Sequence, residues 1–341
     1  MKIALLFAGQ GAQYSGMGLD IYNEYNVSKK IFEMAGEEIT NWCFYGDKET
    51  LRKTEVTQPS IYTVTMACYE AFAQEYGKLT AGQNFNTENE NLEIAALAGF
   101  SLGEYAALTV SDSFRDFKTG LEIVKKRGKW MGEYGSGGMV AAMGQRENIL
   151  EIVELARENS VLEGVNFNSP MQTVVAGDKD ALERFCEIAK HHGHVKTVML
   201  SVGNAFHSPL MEPVSGKLYD LFVDVETSAP NMPVYSNATS KDIADYISEG
   251  AKEGLETSEL MARLMAMQVK TPVYWEEIMN NLLESGVDIF IEIGPGKTLS
   301  GLLKKIKHDA ITFHVQDKES LELTIEGLKN LQNSSLDIFQ G

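Results

Sequence analysis

The sequence predicts an α/β fold with a mainly parallel sheet, into which a small ferredoxin-like unit is inserted. Three observations carry this expectation. Short apolar runs at 2–7, 94–98 and 287–293 are each closed by glycine and lead into turns or helical patterns. Strands that alternate with helices in this way imply parallel pairing, with helices over both faces. Between about 137 and 204 the order changes to βαββαβ, which closes on itself as a ferredoxin-like unit.

Taken along the chain, the first strand (2–7) breaks at once into Gly9-Gln10-Gly11. Residues 83–91 are polar and Asn-rich with no apolar period, which predicts a surface loop. The strand 94–98 ends at Gly99 and is followed by helical patterns over 102–110 and 117–131. Gly135 and the glycines that follow to Gly138 make a hinge into the inserted segment. There a strand (139–143), a helix (147–157), two strands (161–167 and 172–176), a helix (180–190) and a strand (195–201) succeed one another. The expected division is a discontinuous larger domain, 1–136 and 205–341, around a subdomain at 137–204. The strand 287–293 ends at Gly294-Pro295-Gly296, after which Leu299, Leu302, Leu303 and Ile306 recur at helical spacing.

With 341 residues, 44% of them hydrophobic, the chain can build a large core. Its 30 basic residues against 48 acidic ones give a formal charge of -18, which repels polyanions and argues against nucleic-acid binding. An anionic substrate or partner needs a local basic patch. Lys125-Lys126-Arg127 with Lys129, and Lys304-Lys305 with Lys307, are the available runs, although such runs are more often the solvated face of a helix. Three widely spaced cysteines suggest reduced thiols. No apolar stretch approaches the roughly 20 residues that cross a bilayer, and 3–8 is too short for a signal-peptide core. The expectation is a cytoplasmic protein with no membrane partner.

Gly99-Phe100-Ser101-Leu102-Gly103 is a G-x-S-x-G motif set between a strand and a helix. That context makes it a nucleophile elbow, with the serine raised on a tight turn. The amide of Leu102 then faces the place where an oxyanion forms, and the backbone of Gln10, past the end of the first strand, is the second candidate donor. Without the context, an ordinary glycine turn capped by a serine has about a third of the weight. A base is required. His207 follows the inserted unit, where the chain returns to the cleft, whereas His191, His192 and His194 cluster at a helix end where the dipole favours them. They have no Cys, Asp or Glu cluster beside them, so no metal site is expected. His308 and His314 remain formal alternatives for a Ser…Asp…His order. Arg127 is the sharper clue. Rotating 117–131 by about 100° per residue places Leu121, Val124, Gly128 and Met131 on one arc and Glu122, Lys125, Lys126 and Lys129 on the other. Arg127 falls on the apolar arc. A guanidinium buried there needs an anion, and its planar fork suits a carboxylate. A structural salt bridge is the ordinary reading for an isolated arginine; beside a nucleophilic serine a substrate carboxylate becomes the better one.

At these residues the chain resembles the malonyl-CoA:acyl carrier protein transacylase family and the acyltransferase domains of polyketide synthases. The resemblance spans about residues 3–315 and rests on six motifs in order: Gly9-Gln10-Gly11-Ala12-Gln13, Gly99-Phe100-Ser101-Leu102-Gly103-Glu104, Arg127-Gly128-Lys129, Val165-Asn166-Phe167-Asn168-Ser169-Pro170, Phe206-His207-Ser208 and Glu292-Ile293-Gly294-Pro295-Gly296. It implies a hydrolase-like core with a ferredoxin-like insert and a cleft between them. It further implies acylation at Ser101, His207 as general base, Arg127 on the malonyl carboxylate, and Gln10 and Leu102 amides as the oxyanion hole. Gln268 matches the position whose main-chain carbonyl orients the histidine. The implied substrate is malonyl-CoA, the implied partner a phosphopantetheinylated acyl carrier protein of fatty-acid or polyketide synthesis, and no tightly bound cofactor is expected. Phe206 looks like the form associated with malonyl selection, since its ring leaves little room for a 2-methyl branch; one methyl group is worth only about 1–3 kcal/mol. Two positions depart from the family: Phe100 where histidine is usual, which bears on the substrate pocket, and Ala8 where proline is usual.

Lys304, Lys305 and Lys307 are the expected carrier-docking residues, and the chain is expected to act as a monomer. The alternative activity is an acyl hydrolase that clears carrier proteins, because a malonyl hydrolase keeps all these residues. A nucleotide-binding reading of Gly294-Pro295-Gly296-Lys297-Thr298 fails, since a Walker loop needs glycine where Ile291 stands.

Overall fold

The computed structural model describes residues 1–81 and 92–339, so the expected loop at 83–91 lies outside the described residues. Nine strands occur in it: β1 (Lys2–Phe7), β2 (Glu93–Gly99), β3 (Gly138–Met143), β4 (Leu162–Ser169), β5 (Gln172–Gly177), β6 (Lys196–Met199), β7 (Val234–Tyr235), β8 (Val287–Ile293) and β9 (Ile311–Val315). They form two sheets. The first has the order β7-β2-β1-β8-β9 and is parallel throughout.

β1 lies at its centre, with Leu5 opposite Leu97 on one side and Ile291 on the other. Its side chains alternate between two cores. Ile3, Leu5 and Phe7 join the large cluster that includes the helix Thr54–Thr80, while Ala4 and Leu6 pack with Trp275, Ile278 and Leu299. An unbroken apolar run from Ile3 to Phe7 is what burial on both faces demands.

The second sheet is antiparallel, in the order β4-β5-β3-β6. This is the strand order of a ferredoxin-like unit, whose helices Arg146–Arg157 and Lys179–His192 cover one face. Met139, Val165, Val174 and Ala176 join the large core instead. Ser136 O accepts from Ala205 N at 2.7 Å, which ties the two ends of the segment together. The expected elements are observed within a residue or two of their predicted bounds. β7, β9 and several helices are additions, among them Thr54–Thr80, Glu212–Asp224, Thr257–Gln268, Trp275–Glu284 and Lys318–Phe339. No helix among the described residues is long and apolar enough to cross a membrane.

Candidate active site

β2 runs directly into the turn that carries Ser101, and the helix Gly103–Val110 leaves it. The flanking glycines are required by close approach. A Cβ on Gly99 would lie 1.9 Å from the Gly103 carbonyl carbon, and one on Gly103 would lie 2.1 Å from the Phe7 carbonyl oxygen. Ser101 itself has φ 52°, a left-handed conformation that costs a non-glycine residue on the order of 1–3 kcal/mol. His207 shares it, with φ 62°. The two strained residues meet: Ser101 Oγ lies 2.7 Å from His207 Nε2.

The hydrogen-bond network assigns the tautomer. His207 Nδ1 donates to the main-chain oxygen of Gln268 at 2.9 Å, which leaves the Nε2 lone pair facing the serine hydroxyl. Among the described residues no carboxylate bonds to the ring. Burial, reinforced by the charge on Arg127, pushes the imidazole down to about 4, so it is neutral at physiological pH.

Arg127 is 1% exposed, as its place on the apolar arc of Phe117–Glu133 foretold. Its Nη2 donates to Ser101 Oγ at 3.0 Å and to Gln268 Oε1 at 3.2 Å, and Nη1 donates to Gln58 Oε1 at 2.9 Å. The guanidinium lies over the Tyr105 ring. Every one of these partners is neutral, and the buried Nε has no hydrogen-bond partner. Among the described residues no carboxylate forms an ion pair with it. A buried cation with unused donors beside a nucleophile is a ready seat for an anion.

The amides of Gln10 and Leu102 make no hydrogen bond among the described residues. Beside Gln10 lies a chamber of about 100 Å³ bounded by Gln10, Ser101, Phe206 and His207, with Gln58, Phe100, Met131, Met139, Asn166, Leu200 and Val202 completing its wall. A cleft of about 200 Å³ adjoins it, running between the two sheets past Gly9, Phe100, Asn168 and Gln172. Phe100 borders both spaces and packs edge-on against Trp275. All the residues expected at the site except the lysines converge here. Lys304, Lys305 and Lys307 are exposed farther out; Lys305 donates to Gln172 at the cleft wall, and Lys307 pairs with Asp309.

Sequence reasoning missed Gln58, Asn237 and the burial of Glu104. Asn237 Oδ1 accepts from Ser101 N at 2.5 Å, while its Nδ2 donates to Gly99 O at 2.6 Å. Glu104 is fully buried, and desolvation pushes its carboxyl up to about 7. A polar Gln58 beside Pro59 in an otherwise buried helix was the available signal for the first. The Gly294–Thr298 turn finds its use in structure. Glu292 accepts from Leu299 N and Ser300 N, which satisfies that helix N-terminus internally.

The chain matches the family described as acyl transferase domain over residues 4–333. It is 34% identical over 337 residues to a malonyl CoA-acyl carrier protein transacylase of Bacillus subtilis, covering 96% of this chain and 98% of that one. Among solved structures, a malonyl CoA-acyl carrier protein transacylase of Clostridium perfringens superposes with a TM-score of 0.83 at 36% identity, over 98% and 99% of the two chains. A second, at 31% identity and TM-score 0.83, covers 96% of this chain and all of its own; it is a malonyl-transacylase in complex with a type II PKS acyl-carrier protein. A nucleophile elbow, a histidine in hydrogen-bond contact with its serine and similarity along almost the entire length point the same way: this chain is an acyltransferase and belongs to the malonyl-CoA:acyl carrier protein transacylase family.

Proposed function

We propose that the protein moves a malonyl group from coenzyme A to the phosphopantetheine thiol of an acyl carrier protein, through an ester on Ser101. The observation that carries this reading is Arg127, a buried guanidinium 3.0 Å from the nucleophile that forms no ion pair among the described residues. Ser101 Oγ attacks the thioester carbonyl as its proton passes to His207 Nε2. The developing oxyanion accepts from the Gln10 and Leu102 amides. The C–S bond breaks, and the departing thiolate takes the proton from Nε2. In the second half-reaction the carrier thiol gives its proton to Nε2 and attacks the ester, and Ser101 leaves with that proton. The Gln268 carbonyl keeps the imidazole aligned throughout. A bound malonyl carboxylate offsets the charge of Arg127, so the base gains strength when the substrate is in place. Phe206 and Phe100 wall the acyl chamber on the side of the 2-carbon.

On this reading residues 137–204 are an inserted subdomain that closes the cleft over the larger domain. The chain works as a cytoplasmic monomer without a resident cofactor, serving fatty-acid or polyketide synthesis. The carrier docks at Lys304, Lys305 and Lys307. Intact mass spectrometry after incubation with malonyl-CoA, followed by carrier addition, tests the scheme. A malonyl adduct on Ser101 that reappears on the carrier is the expected result. Release of malonate to water without carrier loading would make the enzyme a hydrolase instead.

A further inference from the structure

Glu104 is a buried carboxyl that none of the steps above uses. It lies in the first turn of the helix that leaves the elbow and is 0% exposed. Its Oε2 accepts from Gln268 Nε2 at 3.0 Å and from the main-chain N of Asn237 at 3.1 Å. Both of those residues hold the nucleophile. Asn237 grips Ser101 N, and Gln268 Nε2 donates to Ser101 O at 2.8 Å. The Gln268 amide therefore has acceptors only on its nitrogen side, which leaves its oxygen turned to Arg127 Nη2 at 3.2 Å. Turned the other way, the amide would set N–H against N–H at Arg127 and oxygen against oxygen at Ser101 and Glu104. Burial pushes the Arg127 guanidinium down, and Tyr105 and then the Glu104 carboxylate partly oppose that shift.

We propose that Glu104 is a positioning residue for malonyl transfer: by holding Gln268 and Asn237 it fixes the Ser101 turn and aims the Arg127 fork at the acyl chamber. This rests on the malonyl reading above. An anchor of this kind acts on two levels. Through Asn237 it steadies the nucleophile for any acyl group. Through Gln268 it orients a guanidinium that only a carboxylate-bearing acyl group can use.

The test compares acylation by malonyl-CoA and acetyl-CoA in E104M, which keeps the side chain's length without an acceptor, and in E104Q, which keeps an acceptor oxygen. In E104M the malonyl kcat/KM should fall at least about tenfold further than the acetyl value, the scale of a lost hydrogen bond to a charged group. Much of the loss should lie in kcat, and E104Q should recover most of it. Equal losses for the two thioesters in both variants, alongside a lowered Tm, would reduce Glu104 to a structural role and overturn the proposal. Should E104M fail to fold, E104Q decides alone. A preserved malonyl preference supports anchoring through the acceptor, and an approximately tenfold collapse with that oxygen in place overturns it. Wild-type enzyme that forms no malonyl ester would instead sink the malonyl reading itself, a result separable from any outcome in the variants.

Discussion

The two sheets lie against one cleft, yet they furnish it with different things. Past the strand ends of the parallel sheet come Gln10 and Ser101, and Arg127, His207 and Gln268 reach the same point from segments packed around it. The antiparallel sheet and the residues just beyond it contribute neutral wall: Met139, Asn166, Leu200 and Val202. Their surroundings differ as well. β1 is fully buried from Ile3 to Phe7, whereas Val198 and Met199 on the edge strand β6 are 53% and 54% exposed. Reacting groups need fixed geometry, and close-packed surroundings on both faces supply it. A wall that admits and releases a long thioester arm tolerates a looser frame. On the proposed reading, chemistry belongs to the first region and shape to the second.

The strongest way to break that assignment is Ser101→Ala. It should abolish covalent labelling by malonyl-CoA and lower turnover by roughly 10^4–10^6-fold, the range seen when a triad member is removed from a serine enzyme. Labelling that persists elsewhere on the chain would move the chemistry out of the elbow. His207→Ala should slow acylation and carrier loading alike, by about 10^2–10^4-fold. The pH profile sharpens the point. Because burial and Arg127 depress the imidazole to about 4, its basic form persists as the pH falls, and the acid limb of acylation kcat/KM should lie near that value. Stability follows the same sign. The contribution from His207 is present above the unfolded pKa of about 6.5 and is lost as the pH falls towards about 4. An acid limb at the value of a free imidazole would mean that the base is solvated before substrate arrives.

Arg127→Ala comes next. Loss of a desolvated, charge-assisted contact should remove about 2–5 kcal/mol from malonyl acylation. Acetyl acylation has no carboxylate to lose and should fall far less, so the two rates should converge or invert. Equal losses in a protein that stays folded would deny the arginine any part in reading the carboxylate.

Arg127 also marks how far the sequence could be read. One helical rotation placed a cation on an apolar arc, and the buried guanidinium follows from it. Strands buried on both faces were legible because their central runs, such as Ile3–Phe7 and Ile289–Ile291, are apolar. β9 was not, because its edge position leaves Ile311 exposed and the next three residues half-buried, which breaks the pattern. β7 is two residues long and has no period to detect. At the site the elbow was legible because its glycines, serine and strand are contiguous. Asn237 was not, since it reaches Ser101 from 136 residues away and no local pattern encodes that contact. Glu104 stood in view within the motif, but a helix buried all round gives a charged residue no distinctive face.

The smallest expected effect lies on the rim, at the one place where a candidate docking residue links the two regions. Lys305 stands in the last turn of Thr298–Ile306, beside the parallel sheet, and donates to Gln172 at the start of β5. Lys304 and Lys307 are its exposed neighbours. On a chain of formal charge -18, an acidic carrier meets repulsion almost everywhere else. Exposed charge pairs contribute about 0.2–1 kcal/mol each. Reversing one of the three lysines should therefore raise the carrier KM by about two- to fivefold, and reversing all three should weaken its salt dependence. Acylation by malonyl-CoA should scarcely change, because the lysines lie outside the chamber that holds Ser101. If acylation slows instead, while the carrier KM stays put, the lysines read the phosphates of coenzyme A, and the carrier's landing surface belongs to another face of the cleft.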